Sequence, residues 1–183
     1  MQRGILVRDG RADDVGPCVA LALIAAPDSD VSIWRTSLLE DVESPQRLLV
    51  VAERADEVIG CGRVLRFVPE PDAPTDIAPA GYYLMGMVVH PDHRRQGVGA
   101  ALTRARIDWI SKRADAAWYF ANAHNAASIA LHEQFGFEEV TRSFFYPRVD
   151  FDRGEGVLFR LRLHGWASSG DIPALAHAKD LTR

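Results

Sequence analysis

Between Val88 and Ile110 the chain reads VVHPDHRRQGVGAALTRARIDWI, a run whose residue types suit the holding of a phosphate. A β-branched, strand-like segment meets a proline turn. Two arginines, Arg94 and Arg95, follow, and then Gly97 and Gly99 open an amphipathic helix. A helix N-terminus carries roughly half a positive charge and several N–H groups without intrahelical acceptors. Glycines there leave the donors open to close approach, and the basic pair reinforces the field. Spacing excludes two common nucleotide loops. A P-loop needs Lys-Ser or Lys-Thr directly after its second Gly, where Ala100-Ala101 stand. A dinucleotide fingerprint needs a third Gly where Leu102 sits and an acid at the end of the next strand, where Asn122 lies.

A second segment reads Asn125-Ala-Ala-Ser128-Ile-Ala-Leu131-His132-Glu-Gln-Phe135-Gly136-Phe137, an Asn opening a helix that ends at Gly-Phe. The strand-like AAWYFA, 116 to 121, separates the two segments. The arrangement Arg94-x-x-Gly97-x-Gly99-Ala100 resembles the acetyl-CoA signature of the GNAT family of N-acetyltransferases, and the Asn125 segment resembles that family's other signature. The similarity covers about residues 82 to 145. It implies acetyl-CoA as co-substrate, its pyrophosphate held by Arg94, Arg95, Gln96, Gly97, Val98, Gly99 and Ala100. Met87, Val88 and Val89 would meet the pantetheine arm, with Asn125 and Ser128 as further contacts. GYYLMGMVV and ASIALHEQFGF also resemble aminoglycoside-type members.

Acetyl transfer to an amine needs a neutral amine, a polarised thioester carbonyl and a proton for the departing thiolate. Gly86, beside Met87 to Val89, is the place where a backbone N–H can aim at the carbonyl oxygen, an interaction worth ~2.7–4 kcal/mol when well directed. His132 departs from the family pattern, because many relatives carry Tyr there and use it as general acid. An imidazole with an unperturbed pKa of about 6.5 can take either proton role near neutrality, so His132 is the first catalytic candidate. Tyr146 is the second, and water the third. No acid lies between Tyr83 and Val89 to act as base. His90 and His93 share a turn, but no cysteine or paired carboxylate completes a set for metal, and none is expected.

Composition bounds the rest. A chain of 183 residues with 48% hydrophobic and 25% charged content fits one globular domain. No apolar stretch has membrane-spanning length, and the N-terminus lacks a signal peptide's pattern. Cys18 and Cys61 sit among apolar neighbours and read as buried thiols, so the cytoplasm is the expected compartment. A net charge of −4 argues against a nucleic-acid surface. Acids collect at Asp28, Asp30, Glu40, Asp41 and Glu43 and again at Glu70, Asp72 and Asp76, which points to a small cationic amine as acceptor. A protein N-terminus or lysine, or a CoA-binding module without turnover, are the alternatives. A homodimer is compatible with a domain of this size.

The elements that must position these residues follow from periodicity and turn signals. A strand is expected at Ile5–Arg8, then a helix capped by Asp13 or Asp14 through Ala26, and another capped by Ser29 or Asp30 that stops before Pro45. Residues 47–53 and 58–67 read as a hairpin, 68–81 as a proline-rich loop, and 82–89 as a strand whose Gly86 marks a bulge. A helix over 97–113, a strand over 118–121 and a helix over 125–135 follow, then closing strands at 137–145 and 157–163. The fold class is α+β, a mixed α/β domain with a mostly antiparallel twisted sheet flanked by helices. Residues 1–165 form the acetyltransferase domain and 166–183 a C-terminal tail, with a short helix near 173–179. The resemblance further implies that the fourth and fifth strands splay apart to admit the cofactor.

Overall fold

Leu48, Val50 and Ala52 face one side of a strand while Leu49 and Val51 face the other, and both sets are buried. A strand covered on both faces must lie inside a layered domain. The computed structural model, which describes residues 4–151 and 154–166, places it there. β1 (Leu6–Asp9), β2 (Leu48–Arg54), β3 (Glu57–Phe67), β4 (Gly81–Val89), β5 (Ala116–Asn122), β6 (Glu138–Thr141) and β7 (Gly156–Arg162) form one sheet in the order β1-β2-β3-β4-β5-β7-β6. All pairs are antiparallel except β4 with β5. α1 (Val15–Ala25) and α2 (Val31–Glu43) cover one face. α3 (Val98–Ser111) packs on the other, with α4 (Ala126–Glu133) beside it. The expected α+β architecture is the one observed.

Local chemistry explains most boundaries. The β2–β3 turn is closed by Ala55 and Asp56, both at positive φ, which gives the twist a two-residue hairpin requires. Asp30 caps α2, its carboxylate accepting from Ser32 N at 2.7 Å. α1 differs from expectation. Asp14 precedes it but its carboxylate is taken by Arg8 and by the Arg11 N–H, closing a short 3-10 turn (Ala12–Asp14) rather than capping the helix.

The closing strand expected over 137–145 is only β6, because the chain leaves the sheet after Thr141. Phe145 instead exchanges backbone hydrogen bonds with the proline-rich loop, its N–H donating to Asp76 O and its carbonyl accepting from Ala78 N, each at 2.8 Å. Trp166 docks on α3, its indole donating to Asp108 at 2.7 Å. The helix expected near 173–179 lies outside the described residues.

Candidate functional site

β4 and β5 pair only over Tyr82–Leu84 against Ala117–Tyr119, and past Leu84 they part. β4 also carries one extra residue there: Cys61 faces Val88 and Arg63 faces Met85, so two steps on β3 answer three on β4. Gly86 absorbs the bulge at φ +43°. From Met85 to Val89 the β5-facing edge of β4 therefore has no strand partner. A cavity of about 210 Å³ opens where the strands part, lined by Leu84 to Met87, by Tyr119 to Ala121 and by Arg106, Asn125, Ser128 and His132.

The loop beyond β4 is shaped for an anion. A 3-10 turn at Pro91–His93 leads into Arg94, and Arg95 and Gly97 both adopt positive φ, at +60° and +84°. Such reversals turn successive N–H groups toward one concavity. No side chain caps α3, and its first helical bond runs from Ala101 N to Gly97 O, so the amides of Val98, Gly99 and Ala100 lack intrahelical acceptors. A Cβ on Gly97 would meet nothing within 4 Å, which marks open space above the turn. Gln96 serves the loop rather than the concavity, accepting from Arg54 at 2.7 Å and donating to Asp92 O at 2.8 Å. Arg94 is tied back to Val89 O, and Arg95 is exposed.

Asn125 caps α4, its Oδ1 accepting from Ser128 N at 3.2 Å. Its amide group remains available to the cavity it lines. His132 is buried and stacked flat on Tyr119, centroids 3.6 Å apart and planes 5° from parallel. Its Nδ1 lies 2.8 Å from Ser128 O; a carbonyl only accepts, so Nδ1 carries the proton and Nε2 is left a bare, buried acceptor without a partner. Burial, with the Arg106 charge adding to it, pushes this imidazole down to about 3. At neutral pH His132 has no proton to give from Nε2.

Sequence reasoning passed over Tyr119. Its hydroxyl donates to Ser128 Oγ at 2.6 Å, and burial raises its pKa, so the phenol stays protonated. A signal was present: along β5 the residues alternate, and Ala117, Tyr119 and Ala121 are the buried set that faces α3 and α4. Tyr146 lies elsewhere. It packs against Phe67, Phe120 and Tyr83, in the aromatic cluster formed with the proline-rich loop. The site therefore does not bring His132 and Tyr146 together. On the α2 side of the bulge, Gly86 approaches Arg63 and Trp34. Arg63 stacks on Trp34 and binds buried Asp41 and Ser37. Among the described residues no group of three or more His, Cys, Asp and Glu could hold a metal ion.

Known proteins match this layout. The model of the acetyltransferase (GNAT) family matches residues 20–137. The [ribosomal protein bS18]-alanine N-acetyltransferase of Escherichia coli (strain K12) is 46% identical over 80 residues, 43% of this chain and 53% of that enzyme, so the match spans about half the relative's length. The crystal structure of the Escherichia coli ribosomal-protein-S18-alanine N-acetyltransferase superposes with a TM-score of 0.62 at 20% identity, over 92% of this chain and 98% of that one. Aminoglycoside N-acetyltransferase AAC(6')-Iy in complex with CoA gives 0.67 at 19% identity, over 81% and 97%. At these identities the structural likeness speaks for the fold. No helix among the described residues is long and apolar enough to cross a membrane.

Proposed function

Because the chain belongs to the GNAT acetyltransferase family, we propose that it transfers the acetyl group of acetyl-CoA to a primary amine. The observation that carries this reading is the uncapped, glycine-opened start of α3 beside the parted edges of β4 and β5. A diphosphate fits the first feature by charge and donor geometry, and an extended amide-bearing arm fits the second by strand-like pairing. When bound, acetyl-CoA supplies an activated thioester carbonyl.

The chain's own groups divide the remaining work. The Arg94–Ala100 loop anchors the diphosphate, and the free edge at Met87, Val88 and Val89 aligns the arm. The bulge at Gly86 breaks the ladder, turning backbone amides away from β3 and toward the carbonyl oxygen. His132 Nε2 accepts a hydrogen bond from the arm, the role left to a neutral imidazole, and its stacking fixes the Tyr119 ring. The Tyr119 hydroxyl donates to Ser128, which leaves the Ser128 hydrogen free to point at the sulfur. Release of CoA in the presence of acetyl-CoA and a panel of amines tests the reading, and no turnover with any amine overturns it.

For the acceptor we propose a small cationic amine. Glu70, Asp72 and Asp76 are exposed on the loop that walls the α1–α2 face of the sheet, and no ion pair among the described residues engages them. A second reading, a protein N-terminus, is favoured by a different surface. Ile24, Val31 and Ile33 are exposed around the α1–α2 connection next to Trp34, an apolar rim suited to a peptide. The named activity of the Escherichia coli relative agrees with it. Glu40 and Asp41 favour neither, being occupied by Arg47 and Arg63.

A further inference from the structure

The two buried arginines among the described residues are treated differently. Arg63 has a carboxylate, Asp41, and a hydroxyl, Ser37. Arg106, on α3, is 1% exposed and has neither a salt bridge nor any carboxylate contact among the described residues. It occupies the space a side chain at Gly62 would fill, since a Cβ there would come within 3.1 Å of its Nε. Its acceptors are weak: Leu102 O at 3.3 Å, Met85 O at 3.4 Å, the Met87 sulfur at 3.3 Å and the Thr103 hydroxyl at 3.0 Å. A guanidinium has five N–H groups, so these four contacts leave one unused. The ionisable neighbours are Tyr119 on β5, His132 on α4 and Cys61 on β3, and none is a carboxylate. Burying a cation without a counter-charge costs several kcal/mol, a cost selection keeps where an anion is to be met.

Arg106 is among the residues that line the cavity at the parting of β4 and β5, together with His132 and Ser128. Building on the acetyltransferase reading, that reaction develops negative charge at two places, the carbonyl oxygen, which the amides at the Gly86 bulge answer, and the sulfur of the departing CoA. We propose that Arg106 is the counter-charge for that thiolate, so that sulfur leaves as an anion and needs no acid from the protein. As the amine nitrogen bonds to the acetyl carbon, the carbon–sulfur bond breaks and its electron pair stays on sulfur. The surplus proton on nitrogen goes to solvent through the open acceptor side. Arg106 supplies the charge, Ser128, backed by Tyr119, supplies a hydrogen bond, and sulfur takes up a proton from water as CoA departs. This accounts for a site in which the residue at the usual acid position is a proton-less acceptor.

Binding of CoA and of desulfo-CoA to the whole protein, measured by calorimetry near pH 7 in buffers of different ionisation enthalpy, tests the proposal without any turnover. A free thiol titrates at about 8.5, so CoA held as thiolate must release close to one proton on binding, and desulfo-CoA none. CoA should bind on the order of ten-fold more tightly than desulfo-CoA for each unit by which the bound thiol falls below the working pH. Arg106→Leu should abolish the proton release and the preference while leaving desulfo-CoA affinity unchanged, and Arg106→Lys should retain most of both. Equal binding of the two ligands by the wild-type protein, or proton release that persists in Arg106→Leu, overturns the proposal. The wild-type comparison decides alone if the leucine variant does not fold. Failure of both ligands to bind removes the cofactor reading itself, a result distinct from binding without proton release.

Discussion

At the scale of single residues, His132 does not take the role that chain position suggests. An imidazole on α4, at the place where relatives carry a phenol, invites the reading of a general acid. Its Nδ1–H is spent on Ser128 O and its Nε2 is buried, so it serves as acceptor and stacking plate, and the phenol stands on β5 instead. Tyr119→Phe should lower the maximal rate about two- to ten-fold, the worth of one neutral hydrogen bond to Ser128, with CoA affinity within two-fold or so of wild type. Steady-state kinetics beside calorimetry separate the two effects, and a larger loss in affinity than in rate would remove Tyr119 from the reaction.

His132 also sets a pH dependence of stability. Its folded-state value of about 3 lies below the ordinary 6.5 because burial disfavours the imidazolium. Between these values the unfolded chain binds one more proton than the folded one, so stability is full above pH 6.5 and falls as pH drops toward 3. The loss from this group approaches about 1.4 kcal/mol per pH unit. His132→Phe, which keeps the stack on Tyr119, should show a shallower decline of Tm between these two pH values. Parallel Tm-versus-pH curves for the two proteins would contradict this.

Among the elements, the start of α3 differs from the others. α2 and α4 have side-chain caps, Asp30 and Asn125, and α1 follows a 3-10 turn, whereas α3 begins uncapped at a left-handed glycine. Asp30→Ala should cost about 1 kcal/mol of stability, read as a lower urea midpoint, and leave CoA binding alone. Gly97→Val should do the reverse. Nothing within 4 Å obstructs a side chain at Gly97, so the penalty to the fold is the left-handed backbone, roughly 1–2 kcal/mol, while the added methyls cover the concavity. CoA affinity should fall at least ten-fold by calorimetry with a cooperative unfolding transition retained. Near wild-type affinity would remove the loop from the diphosphate site.

Across the whole molecule, charge is distributed by face. Arg94 and Arg95 stand exposed at the α3 start, and Glu70, Asp72 and Asp76 stand exposed on the loop that joins the aromatic cluster. Glu40 and Asp41 of α2 are paired with Arg47 and Arg63, whereas the three loop acids have no ion pair among the described residues and can steer a cation. Replacing these three with their amides should raise the acceptor's KM several-fold at low salt, flatten its salt dependence and leave the KM for acetyl-CoA unchanged. A neutral or peptide acceptor whose KM ignores the three substitutions would favour the Ile24–Ile33 rim as the acceptor surface.

What the sequence determined by itself is what short-range rules govern. Gly97 and Gly99 before an apolar periodic run, Asn125 opening a helix, Asp30 before α2 and Gly86 inside a strand each point to a local structure, and each is found in it. The loop geometry and the bulge were therefore legible from types and spacing. Tertiary structure decided what depends on distant partners. Asp14 ceased to be a cap because Arg8 claimed it, and Phe145 left the sheet because the proline-rich loop offered its backbone groups a partner. His132 lost its second proton because burial, to which the Tyr119 ring 13 residues earlier contributes, and the Arg106 charge disfavour the imidazolium. Arg106 reads in sequence as one more polar position on a helix. Gly62, across the helix–sheet interface, leaves the space that the Arg106 side chain fills, and that side chain lies buried with no carboxylate beside it among the described residues. Proton affinity is set by what excludes water from a group, and that is fixed by packing between segments far apart in the chain.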